Sequence, residues 1–129
     1  MPERPRVLFL CVHNAGKSQM AAAILRSVAG PRVDVHSAGT HPDDYVHGES
    51  ATAVAEIGAD MAYEVPHPID PEILRTADRV IVLGSEAEVS PVDGMRAAIE
   101  RWIIVEPADD GVTGLPRTRL IRDDIARRV

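Results

Sequence analysis

The chain has one cysteine, Cys11, among its 129 residues. No disulfide can close within it, and a lone thiol fits a reducing compartment, so a cytoplasmic location is expected. Aromatic residues are almost as scarce: Phe9, Tyr45, Tyr63 and Trp102. Surfaces that stack bases need more of them, and a net charge of −6 offers no broad basic face. Bulk nucleic-acid binding is therefore excluded, although a local basic pocket is not. The apolar run Val7–Val12 is too short for a signal-peptide core or a membrane span, so no membrane association is expected. His36, His41, His47 and His67 show no zinc-type spacing and read as loop histidines, so no metal site is expected. Repeats, low-complexity tracts and long linkers are also missing. One domain over residues 1–129 follows, long enough to bury a core without disulfide or metal.

With so few aromatics, the core must come from Val, Ile, Leu and Ala. Val7-Leu8-Phe9-Leu10 is apolar throughout and reads as a strand covered on both faces. Residues 18–28 carry Met20, Ala21, Ile24, Leu25 and Val28 at helical spacing, and Gly30-Pro31 ends that helix. A second strand is expected at Val33–Ser37, a helix at Glu49–Ile57 stopped by Gly58, and a short helix from Pro71 to Ala77. Arg79–Leu83 reads as a third strand, Met95–Arg101 as a helix and Ile103–Val105 as a fourth strand. Glu106–Pro116 reads as a loop. The last helix begins near Thr118, with Leu120, Ile121 and Ile125 inward and Arg122, Asp123, Asp124, Arg127 and Arg128 solvated. Alternating strands and helices predict an α/β three-layer sandwich with a four-stranded parallel sheet. Loops at the carboxyl ends of such strands carry function: here Cys11–Lys17, Ser37–His47, Gly84–Glu88 and Glu106–Gly111.

Chemistry concentrates in Cys11-Val12-His13-Asn14-Ala15-Gly16-Lys17-Ser18. This loop joins a buried strand to a helix N-terminus, where unpaired N–H groups and the helix dipole attract an anion. The same field favours the thiolate form of Cys11, a nucleophile. Lys17 adds a fixed positive charge, and the Ser18 hydroxyl can donate to the sulfur or to the anion. Asn14 and Gly16 tolerate the unusual backbone angles of a tight cradle. The candidate anion site is thus Val12 to Ser18, with His13 either adding charge or facing solvent. Gly16-Lys17-Ser18 imitates the end of the nucleotide-binding motif G-x-x-x-x-G-K-[ST], but Cys11 stands where that motif needs its first glycine. The third strand also ends in Gly84-Ser85 rather than a magnesium-binding Asp.

The segment VLFLCVHNAGKSQMAA, Val7 to Ala22, resembles the active-site region of low-molecular-weight protein tyrosine phosphatases. It is more similar to arsenate reductases of that fold, in which Ser-Gln-Met-Ala follows the loop. The likeness continues through Ser37–Thr40, Val54–Gly58, Ala77–Ile81 and Ile121–Ile125. The resemblance implies that Cys11 is the nucleophile, that Asn14 props the loop and that Ser18 holds the thiolate. Lys17 stands where the family usually has Arg. Glu106-Pro107 stands where it usually has Asp-Pro, which would make Glu106 the acid that protonates the leaving oxygen. Lys offers a point charge where Arg clamps an oxyanion with two bonds. Both departures, with Ala108-Asp109-Asp110 in place of the aromatics usual in phosphatases, favour arsenate over phosphotyrosine.

Thioredoxin-coupled reductases of this fold resolve their chemistry with further cysteines in the same chain, and this chain has only Cys11. The electrons must then come from an external thiol. That resembles actinobacterial arsenate–mycothiol transferases. No bound cofactor is implied; mycothiol is the co-substrate, and a glutaredoxin-like mycoredoxin completes reduction to arsenite. Arsenate would rest on the loop N–H groups and Lys17. The Cys11 thiolate would activate or attack it, and Glu106 would assist loss of water. Two alternatives stay open: a low-molecular-weight phosphatase, and a non-catalytic oxyanion binder.

Overall fold

The computed structural model describes residues 4–129. Strands β1 (Arg6–Cys11), β2 (Asp34–Gly39), β3 (Arg79–Leu83) and β4 (Ile99–Trp102) form one parallel sheet in the order β2-β1-β3-β4. β1 is an inner strand, with Leu8 paired to His36 on one side and Val80 on the other. Both of its faces are covered, which is why Val7–Leu10 contains no polar residue. Val7, Phe9, Ile81 and Leu83 pack with Met20 and Ile24 of α1 (Lys17–Ala29), Val54 of α2 (Gly48–Ala55), and Ile121 and Ile125 of α4 (Gly114–Arg128). Leu8, Leu10, Val80 and Val82 face the opposite way, toward Leu74 of α3 (Pro71–Thr76) and Ala87. α3 starts as its sequence dictates: the Asp70 carboxylate accepts from the Glu72 N–H at 2.8 Å, and Pro71 opens the first turn. The α/β architecture is the expected one.

Four local expectations need correction. Met95–Arg101 is not a helix. The chain runs irregularly across the α3 side of the sheet and then enters β4, four residues earlier than expected. Glu100 and Arg101 resemble a helix surface in sequence, but β4 is an edge strand, where charges are tolerated and Glu100 pairs with Arg79. Ile103–Val105 leaves the sheet: only Ile104 is buried, while Ile103 and Val105 are exposed. α4 starts at Gly114 rather than Thr118, and a 3-10 turn covers Pro107–Asp110. Val28 and Leu120 are exposed, because each lies on the solvent side of its helix.

Two groups placed in solvent by their charge are buried. Arg122 donates to the Ala53 carbonyl at 3.0 Å and to Glu56 at 2.7 Å, tying α4 to α2. Asp124 is 3% exposed and accepts from the Val105 N–H at 2.9 Å, with Arg127 and Arg128 on its other oxygen. It thereby anchors the segment that leads into Glu106. Burial alone would raise its pKa; the Val105 N–H and the two arginines outweigh that and hold the carboxyl below its ordinary range.

Candidate active site

The loop between β1 and α1 has its carbonyls tied down from outside. Cys11 O accepts from Thr40 N at 3.1 Å, Val12 O from His41 N at 2.7 Å and His13 O from Asp43 N at 3.0 Å. Ala15 O accepts from His47 N at 2.7 Å, and Gly16 O from Met20 N at 2.8 Å. The segment after β2 therefore straps the loop along one side. Among the described residues, none of the N–H groups of Val12 to Lys17 donates to a backbone carbonyl. α1 begins at Lys17, its N-cap Gly16 offers no side-chain cap, and its first turn holds no acid. Donors and dipole are both left for an anion.

Behind the loop is a closed polar chain. Asn14 is fully buried and holds a left-handed backbone at φ 49°. Its Oδ1 accepts from the His67 N–H at 2.8 Å and from Gln19 Nε2 at 3.2 Å. A backbone N–H can only donate, so this bond fixes which end of the amide is oxygen. Nδ2 must then be the atom that donates to Ser18 Oγ at 2.7 Å. Ser18 Oγ in turn lies 2.9 Å from Cys11 Sγ, and with Cys11 as the thiolate the hydroxyl is the donor of that bond. A chain of three side chains, Asn14, Ser18 and Cys11, thus ends at the sulfur.

Gly39, the last residue of β2, fits the loop against the sheet. A Cβ on it would lie 2.6 Å from Val12 O and 2.9 Å from Asn14 N, so only glycine permits this approach.

The cleft above the loop has a volume of 570 Å³. Cys11, Val12, His13, Ala15, Gly16 and Lys17 line it, while Asn14 and Ser18 lie behind them. The other three strand-end loops each contribute: Asp43 and His47, then Gly84 to Ala87, then Glu106 and Asp109. Lys17 forms no ion pair with any described residue, and its Nζ passes 3.9 Å from where a side chain on Gly84 would start. His13 is exposed and turns to Asp43 at 3.2 Å and to the His41 carbonyl at 3.3 Å, so what it offers the cradle is its main chain.

Glu106 forms a two-point pair with Arg117 of α4, at 2.7 and 2.9 Å. Those bonds, with Lys17 as a second nearby cation, hold the Glu106 carboxyl below its ordinary range against the opposing effect of burial. Glu106 is thus charged, whereas the donor role expected of it requires the protonated form. The sequence carries no mark on Arg117, while Gly39 falls in the Ser37–Thr40 likeness without a role of its own. Arg117 is one of several arginines in α4, and Gly39 reads as a strand stop. Among the described residues no three His, Cys, Asp or Glu side chains gather as metal ligands would.

A strand that ends in a cysteine, followed by a loop with unused N–H groups and an uncapped helix, makes a cysteine-centred oxyanion cradle. The chain matches the low molecular weight phosphotyrosine protein phosphatase family over residues 6–100 and belongs to that family. A putative arsenate reductase of Halobacterium salinarum is 32% identical over 94% of this chain and 85% of its own length. An arsenate reductase of Halalkalibacterium halodurans is 32% identical over 95% of this chain and 91% of its own. A thioredoxin-dependent arsenate reductase of Corynebacterium glutamicum superimposes with a TM-score of 0.78 at 31% identity, covering 97% of this chain. This chain spans 58% of that protein's length. No helix among the described residues is long and apolar enough to cross a membrane.

Proposed function

We propose that this chain is an arsenate reductase of the arsenate–mycothiol transferase type, passing arsenic from Cys11 to an external low-molecular-weight thiol. The reading rests on the Asn14–Ser18–Cys11 chain beneath a loop with unused N–H groups, in a molecule with one cysteine. Two curated relatives that align along most of this chain carry the name arsenate reductase.

The arsenate monoanion lies on the loop N–H groups with Lys17 beside it. The Cys11 thiolate attacks arsenic; a sulfur–arsenic bond forms, an arsenic–oxygen bond breaks and water leaves. Arsenic remains pentavalent. The thiol of mycothiol then attacks arsenic and frees Cys11, so arsenic changes sulfur without changing oxidation state. Reduction follows off the enzyme, when the mycoredoxin thiolate attacks the mycothiol sulfur. A disulfide forms between the two thiols, and the sulfur–arsenic electron pair stays with arsenic, giving arsenite. No second cysteine of this chain is required, which matches its composition.

The test is arsenate turnover with mycothiol and mycoredoxin, beside glutathione with glutaredoxin and thioredoxin with its reductase. Turnover with the mycothiol couple, lost to background in Cys11→Ser, is the expected result. Turnover with thioredoxin alone overturns the external-thiol reading. Tight arsenate binding without turnover in any arm makes the chain an oxyanion binder.

A further inference from the structure

The Glu106–Arg117 pair stands on the wall of the cleft that holds Cys11 and Lys17. Arg117 reaches it from α4, Lys17 faces it from α1, and Asp109 lines the cleft one turn on. Glu49 of α2 is a second acid near Arg117, and its Oε2 is 3.4 Å from the Thr118 hydroxyl. Resting on the function just proposed, we infer that Arg117 is a positioning residue. It keeps Glu106 a carboxylate, so that Glu106 takes the proton of the attacking thiol and the site is confined to oxyanions that bear no ester.

Proton balance carries the inference. When a thiolate displaces water from the arsenate monoanion, both hydrogens of that water come from arsenate itself. The products are a thiol-bound arsenic dianion and neutral water, and the protein supplies no proton. When the same thiolate displaces the alcohol of a phosphate monoester dianion, the leaving group departs as an alkoxide or phenoxide. It then needs one proton from a neighbouring acid. A carboxylate clamped by two arginine N–H groups at 2.7 and 2.9 Å has no proton to give. The second step has the opposite need. The incoming thiol must lose a proton as it attacks arsenic, and a carboxylate on the cleft wall can accept it. One charged pair therefore serves thiol transfer and disfavours ester hydrolysis.

The experiment follows aryl phosphate hydrolysis and mycothiol-dependent arsenate transfer across pH in the wild type, Arg117→Leu and Arg117→Lys. The Glu106 carboxyl is titrated in parallel by carbon NMR of labelled protein. In Arg117→Leu the Glu106 titration moves up, and aryl phosphate hydrolysis rises about tenfold or more. That gain falls away toward alkaline pH as Glu106 loses its proton, and arsenate transfer declines. Arg117→Lys restores part of the wild-type pattern. Glu106→Gln placed on the Arg117→Leu background abolishes the gain, which separates proton donation from loosened packing. Two outcomes overturn the inference: Glu106 titrating alike in the wild type and Arg117→Leu, or wild-type ester hydrolysis matching arsenate turnover with an alkaline limb that Glu106→Gln removes. Should no thiol support arsenate turnover, the proposed function falls, while the titration and the ester profile still decide the pair.

Discussion

The two ends of the sheet differ in how much charge they leave unmatched, although Glu106 pairs with Arg117 at the carboxyl end. At the amino ends of the strands, charges meet charges. Arg6 binds Asp34 at 2.8 Å, Arg79 binds Glu100 at 2.7 Å and Arg96 binds Asp78 at 3.2 Å. At the carboxyl ends, Lys17 has no ion-pair partner and the N–H groups of Val12 to Lys17 have no carbonyl to bind, among the described residues. Buried polar groups there bind one another and the backbone: Asn14 binds Ser18, Gln19 and His67, and Ser18 binds the sulfur. A fold gains little from leaving donors and a cation unmatched. The contrast sets the carboxyl end, with its unmatched N–H donors and Lys17, apart from the amino end, where charges are paired.

The contrast can be broken most severely at Gly39. Gly39→Ala places a methyl 2.6 Å from Val12 O, so the loop must move. Stability should drop by about 1–3 kcal/mol and oxyanion affinity by tenfold or more, read by calorimetry with phosphate. A variant that binds phosphate normally would show that the loop does not depend on this approach.

The next effect compares one cation from each end. Lys17→Ala should weaken phosphate binding about tenfold and Lys17→Arg should strengthen it, because a fork holds a tetrahedral anion better than a point charge. Arg79→Ala should leave that affinity untouched. Equal losses in the two alanine variants would mean long-range charge, not contact, governs binding.

A smaller change is expected at Asp124, which holds the Val105 N–H and so the approach to Glu106. Its folded carboxyl sits below the ordinary range, so its stabilising effect is complete at neutral pH. That effect is lost as pH falls below the ordinary carboxylate range and through the lowered folded value. Asp124→Asn should cost about 1–3 kcal/mol at pH 7 and flatten the acid limb of the denaturation profile. An unchanged acid limb would remove Asp124 from the set of groups that resist acid. Smallest of all, Arg79→Ala should change stability by less than about 1 kcal/mol, since both partners of its pair are largely exposed.

How much could be read in advance depends on whether the signal is local. β1, β3, α1 and α3 lie where the apolar runs, Gly30-Pro31 and Asp70-Pro71 put them, to within a residue or two, because each pattern is complete within one element. β4 was illegible because an edge strand with one polar side carries the same letters as a helix surface. Arg122 and Asp124 read as solvated because charge predicts exposure unless a partner is known, and their partners are Ala53, Glu56 and Val105. In the site, Cys11 to Ser18 could be identified because strand, loop and helix start are contiguous in the chain.

By itself the sequence determined a parallel α/β domain with one thiol at the end of a buried strand and an anion-favouring loop after it. Periodicity, helix-stop residues and the count of cysteines are all properties of the chain. Only the tertiary structure decided that Asn14 and Ser18 form a chain ending at Cys11, that Gly39 admits the loop and that Arg117 pairs with Glu106. Those contacts join residues from 4 to 27 positions apart. Each depends on a direction in space, the face of an amide or the side of a helix, which the order of residues does not record.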